Sequence, residues 1–152
     1  MESFLKLIHQ ITKYGSEPVA DPNKLASLKK SLGDLYALYL NLNSNFDEQL
    51  YEEVQRLDYA EVYAYVKVNF PEFGWYRSST ISFKTDQDPE LLEEDAIDDL
   101  TDLIIDLSEV AWRLKNTSLN DGLWYFNTLM KIHSEAHLIN LIRYLKALEE
   151  YL

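Results

Sequence analysis

The sequence predicts an all-α fold, a single-domain bundle of about six helices over residues 1–152, and three observations carry that prediction. Hydrophobic residues make up 47% and charged residues 26%, with four glycines and four prolines, which is the balance of a globular chain. Polar residues able to cap a helix recur just ahead of apolar runs. Those runs repeat at helical spacing. A chain of 152 residues buries roughly 68–70% of its unfolded surface, enough for one core.

"MESFLKLIHQITKYG" predicts the first helix, over 2–14. Glu2, Lys6, His9 and Gln10 interrupt its apolar residues, so no secretory h-region forms and the mature protein is expected to begin here. Asp21 before Pro22 predicts a helix over 22–42, because the aspartate can accept from a first-turn amide and proline suits the first helical position. "SNFD" (Ser44 to Asp47) and "DYAE" (Asp58 to Glu61) have the spacing of a capping box or a close variant, and predict helices over 45–57 and 59–69. In the second of these, Val62, Ala64, Val66 and Val68 alternate with polar or aromatic residues as a strand would, and the cap decides for helix.

Pro71 and Gly74 end that helix, and "WYRSSTISF" reads as an extended segment over 75–83, with Phe70, Phe73, Trp75 and Tyr76 expected to pack. Asp88 with Pro89 repeats the earlier start signal and predicts a helix over 89–115. "SLND" (Ser118 to Asp121) predicts the last, over 119–151. Its roughly 33 residues would span about 50 Å, against a domain about 40 Å across, so this long C-terminal helix must bend or project. Within it "HLINLIRYL" is apolar all round, hence buried on every side or shared with a second copy in a symmetric homodimer.

The formal net charge of −12 opposes nucleic-acid phosphates and anionic lipid surfaces, so neither nucleic acid nor membrane is an expected partner. No window approaches the ~20 apolar residues of a membrane span. Cysteine is absent, which removes disulfides, thiolate metal ligands and cysteine nucleophiles together, and a cytoplasmic location is expected. The charge is uneven, since "DQDPELLEEDAIDDLTDLIIDL" (Asp86 to Leu107) carries ten carboxylates and no basic residue.

"HSEAH" places His133 and His137 one helical turn apart. On an ideal wheel Asn140 and Tyr144 fall on the same side, so the four form a polar thread along the inward face. Helix 89–115 supplies the candidate partners. Asp99 and Asp106 border its apolar stripe and are the expected counterparts, whereas Asp95, Asp98, Asp102 and Glu109 point away from it, as a solvated acidic face would. Two readings compete. His133 and His137 can ligate one divalent metal, with Asp99 or Asp106 completing the set, or they can be hydrogen-bonded inside the bundle.

Sharper motifs fail on single residues. A zincin helix needs glutamate after the first histidine, where this chain has Ser134. The start of a calcium loop at Asp86 has Leu91 where glycine is needed and Ile97 where a bidentate glutamate belongs. No phosphate-binding glycine loop or nucleophile elbow occurs.

"FPEFGWY", "EDAIDDLTDLIIDLSEVAWRL" and "GLWYFNTLMKIHSEAHLINLIRYLKAL" together resemble an uncharacterised bacterial all-α family, domain of unknown function 5063, over about the last 80 residues. The resemblance matches Asp98, Asp99, Asp102 and Asp106 to the family's aspartate-studded helix, and Trp124, Phe126, His133 and His137 to its histidine-bearing one. It implies a bacterial source, a helical fold and no assigned activity.

The function expected from sequence is a small acidic cytosolic helical module acting through protein contacts, because nucleophile motif, phosphate loop and basic patch are all missing. A binding module is favoured over an enzyme, and no cofactor is expected. The alternative is a metal-dependent helical-bundle enzyme built on His133 and His137 with a carboxylate from helix 89–115.

Overall fold

A computed structural model describes all residues, 1–152. Helix α1 (Glu2–Thr12) runs into a 3-10 turn at Lys13–Gly15, and is followed by α2 (Lys24–Asn41) and α3 (Tyr59–Asn69). A hairpin of β1 (Trp75–Ser79) and β2 (Leu91–Asp95) leads into α4 (Ala96–Asn116). The last rod comprises α5 (Leu119–Leu129), a π turn at Met130–Ser134 and α6 (Glu135–Tyr151) without a break. The fold is therefore mostly helical, with five helical rods and a two-stranded sheet.

Local chemistry accounts for the starts. Asp58 caps α3 by accepting from the Glu61 amide at 3.0 Å, and Ser118 caps α5 by accepting from the Asp121 amide at 3.0 Å. Asp21 instead accepts from the Asn23 amide at 2.8 Å and organises a turn through Pro22, so α2 begins only at Lys24.

Two expectations require correction. The predicted helix 45–57 is absent, and residues 42–58 run without regular structure as a strap over the C-terminal rod and α4. Its capping residues bond outward: Ser44 accepts from Asn127 at 2.6 Å, Asp47 accepts from Ser118, and Arg56 reaches Asp106 and Glu109. Tertiary partners outcompete the helix cap. The predicted start at Asp88–Pro89 also fails, because residues 91–95 pair antiparallel with 75–79, Trp75 opposite Asp95 and Ser79 opposite Leu91. Helix α4 starts at Ala96, where Asp95 accepts from the Ile97 amide at 3.0 Å.

One core of 25 buried residues gathers Ile8, Leu32, Val66, Leu100, Ile104, Phe126 and Leu141 from all five rods. Helix α4 lies at its centre, packed against α1, α3, α5 and α6, and 14 of its 21 residues are buried. An element surrounded on this scale cannot keep all its carboxylates in water. Asp95, Asp99, Asp106 and Glu109 are each at least nine-tenths buried.

The π turn sets the orientation of the C-terminal rod. Gly122, Phe126, Met130, Ser134 and Leu138 are all buried at a constant spacing of four residues. An ideal α-helix would drift about 40° at each such step, and the wider π turn absorbs the drift. His133 and His137 therefore stand at the flank of the buried stripe, one residue before Ser134 and Leu138. No helix is long and apolar enough to cross a membrane.

Candidate metal centre

His133 and His137 project from the π turn and the first turn of α6 toward α4, where Asp99, Asp102 and Asp106 share one face at spacings of three and four. Asp106 Oδ2 lies 2.7 Å from His133 Nδ1 and accepts from the Ser134 hydroxyl at 2.7 Å, while Oδ1 accepts from Arg56. Asp99 Oδ1 lies 2.8 Å from His137 Nδ1, and Oδ2 accepts from the Tyr76 hydroxyl at 2.6 Å. Each imidazole thus has its Nδ1 side held by a buried carboxylate whose other positions are also occupied.

That arrangement decides where the ring protons go. A carboxylate against Nδ1 places the proton of a neutral imidazole on that nitrogen and leaves Nε2 as a bare acceptor. The two Nε2 atoms lie 3.2 Å apart. Asp102 Oδ2 completes the triangle, 3.4 Å from His137 Nε2 and 3.8 Å from His133 Nε2. A circle through the three donor atoms has a radius of about 2 Å, against bonds of about 2.0–2.2 Å from zinc to imidazole nitrogen or carboxylate oxygen. An ion close to the plane of the three atoms would be in bonding range of all of them.

Three acceptors pointed at one spot repel each other unless a cation stands between them. The titration of the surrounding groups reflects this charge. Asp99, through its hydrogen bond and its charge, and Asp102 and Asp98 raise the His137 pKa above its ordinary value, against the effect of burial. Burial and the neighbouring Asp98 raise the Asp102 carboxyl. Burial would raise Asp106 as well, but donation from Ser134, His133 and Arg56 takes it below the usual carboxylate range.

The centre opens to solvent on one side. The side chains of His133, Asp102 and His137 are 43%, 24% and 19% exposed, whereas those of Asp106 and Asp99 are 2% and 1% exposed. Converging donors at the rim backed by buried orienting groups is the layering of metal sites that keep coordination positions open.

Of the residues expected from sequence, His133, His137, Asp99 and Asp106 come together, with the two aspartates behind the imidazoles and not at the converging point. Asn140 and Tyr144 lie elsewhere. The Tyr144 hydroxyl accepts from the Gly74 amide at 3.2 Å, and both residues line a groove beside the hairpin. The expected polar thread is thus divided between two places. The helical wheel puts Asp102 on a solvated face, whereas in the structure its Oδ2 is the third atom at the converging point. The spacing 99, 102, 106 was the available signal, since it puts the three carboxylates on one helical face. Ser134, Tyr76 and Arg56 had no signal, because each reaches the site through tertiary packing.

The chain matches no family model, no curated protein and no solved structure.

Proposed function

We propose that this protein is a metal-binding helical domain whose centre is formed by His133, His137 and Asp102, with Asp99 and Asp106 as positioning residues. The observation that carries the reading is the convergence of both Nε2 atoms and Asp102 Oδ2 on one point while each Nδ1 is engaged by a buried carboxylate. Sequence alone favours a module acting through protein contacts; converging donors reverse that order. Two imidazoles and one carboxylate suit Zn(II), Fe(II) or Mn(II), and three protein ligands leave positions for water or a substrate oxygen. The chemistry such a centre supports is metal-assisted hydrolysis, or oxygen-dependent oxidation when iron is bound.

A proton is the competing occupant, favoured by the raised His137 pKa. A protonated His137 would donate through Nε2 to His133 Nε2, making the pair a polar clasp. Isothermal titration of metal-stripped, tag-free protein with Zn(II), Mn(II) and, without oxygen, Fe(II) separates the two. One ion per chain should bind, binding should disappear in His133→Ala and in Asp102→Ala, and it should weaken about 10–100-fold in Asp99→Asn and Asp106→Asn. No binding of any of the three metals, or equal binding by Asp102→Ala, would overturn the reading.

A further inference from the structure

Beside the hairpin, β1 and α6 enclose a groove of about 530 Å³, within the ~300–1,000 Å³ range of small-molecule sites. The Tyr76 and Tyr144 rings lie in it 5.0 Å apart and tilted by 41°. Their hydroxyls are engaged elsewhere, Tyr76 with Asp99 and Tyr144 with the backbone of Gly74 and Glu72. Ring surface is what the groove therefore presents, extended by Trp75, which is 74% exposed, and by Leu148.

Charge at the rim is of the opposite sign to the molecule as a whole. Arg77 and Arg143 line the groove, with Glu72 as its one acid. Three of the four arginines have carboxylates within 4.0 Å: Arg56 has Asp106 and Glu109, Arg113 has Glu109 and Asp121, and Arg77 has Glu93. Arg143 has none and makes no side-chain hydrogen bond, in a chain of 26 acidic against 14 basic residues. With carboxylates in such excess, a guanidinium left free beside aromatic ring surface stands ready for an anion from outside the chain.

We infer that this groove binds a small amphiphilic carboxylate, its flat apolar body against Tyr76, Tyr144 and Trp75 and its carboxylate on Arg143. The planar guanidinium fork matches a carboxylate with two parallel hydrogen bonds. A single negative charge suits the site better than a phosphate dianion, because the surrounding field is negative and Glu72 shares the rim. The groove adjoins the proposed metal centre through the Tyr76–Asp99 hydrogen bond, but its binding of a carboxylate needs no metal.

Calorimetric titration with 2-naphthoate, its neutral analogue 2-naphthamide and (2-naphthylmethyl)trimethylammonium tests the assignment on the full chain. Naphthoate should bind at least tenfold more tightly than the amide, and Arg143→Gln should abolish that difference while the amide still binds. Because Arg143 is at the surface, the variant should fold, and amide binding reports that the groove is intact. Shifts of the Trp75 indole N–H resonance on naphthoate addition locate the probe. Equal binding of acid and amide, tighter binding of the cation, unchanged naphthoate affinity in Arg143→Gln, or no binding of any probe at millimolar concentration would each overturn the proposal.

Discussion

At the scale of single residues, the histidine pair illustrates how one group serves opposite ends of the pH range. Its raised folded pKa means His137 contributes stability fully present below its unfolded value of about 6.5 and lost as pH rises through the folded value. The proposed metal binding would run the other way, since an ion must displace that proton. In EDTA the Tm advantage of the wild type over His137→Gln should shrink as pH rises above about 6.5, whereas the Tm increment from added zinc should grow. A zinc increment independent of pH between 5.5 and 8 would contradict ligation by these imidazoles. Asp106 acts in a different window: its lowered pKa gives stability above about 3.9 that is lost as pH falls through the folded value. In the core, Tyr14 is fully buried and its hydroxyl has no hydrogen-bond partner. Removing a buried polar group without a partner costs little, so Tyr14→Phe should leave urea stability unchanged or raise it by about 1 kcal/mol or more. A loss of about 2 kcal/mol would mean that the hydroxyl is engaged after all.

At the scale of elements, the contact between α4 and α5 depends on one missing side chain. A Cβ on Gly122 would come within 2.5 Å of Leu114 Cδ2 and 3.1 Å of the Leu114 backbone nitrogen. Leucine can rotate, but the backbone of α4 cannot, so Gly122→Ala should cost about 1–3 kcal/mol by overpacking despite alanine's better helix propensity. Denaturant midpoints check this, and a stabilised variant would show that the two helices separate freely. The same pair of helices encloses Arg113, which bonds Glu109 at 3.0 Å and Asp121 at 3.2 Å, with all three side chains at least nine-tenths buried. Arg113→Ala would leave two buried carboxylates with one side-chain partner each, Arg56 on Glu109 and Thr117 on Asp121, and should destabilise by about 3 kcal/mol. Arg56→Ala should cost less in the same assay, because its side chain is 43% exposed and water can replace it. Equal losses would indicate that the strap over residues 42–58 is as integral to the core as α4.

At the scale of the whole molecule, the net charge of −12 is concentrated in part on a helix at the centre of the bundle. Self-repulsion of this kind is screened by salt, with a Debye length of about 30 Å at 0.01 M and about 8 Å at 0.15 M. The metal-free protein should therefore melt at a higher temperature in 0.15 M than in 0.01 M sodium chloride, and a lower one would mean that attractive surface pairs dominate. Much of this molecule was legible in its sequence. Helical class, the bounds of 59–69, the long C-terminal rod and the approach of His133 and His137 to Asp99 and Asp106 follow from caps, periodicity and spacing, which act over a few residues along the chain. The strap, the hairpin and the π turn do not. "SNFD" has capping chemistry, but Ser44 and Asp47 find better partners on the C-terminal rod, and "LLEED" pairs with Trp75–Ser79 only because the chain doubles back. Asp102 makes the same point: on an isolated wheel it faces water, and only the packing of the C-terminal rod across α4 turns that face into a third donor. Sequence by itself determined that His133 and His137 lie one turn apart on one helix and that Asp99 and Asp106 on another are their counterparts. Tertiary structure decided which of them converge, because a triangle of acceptor atoms about 2 Å in radius is set by how two helices pack and by where one of them is underwound, and neither is a property of any local stretch.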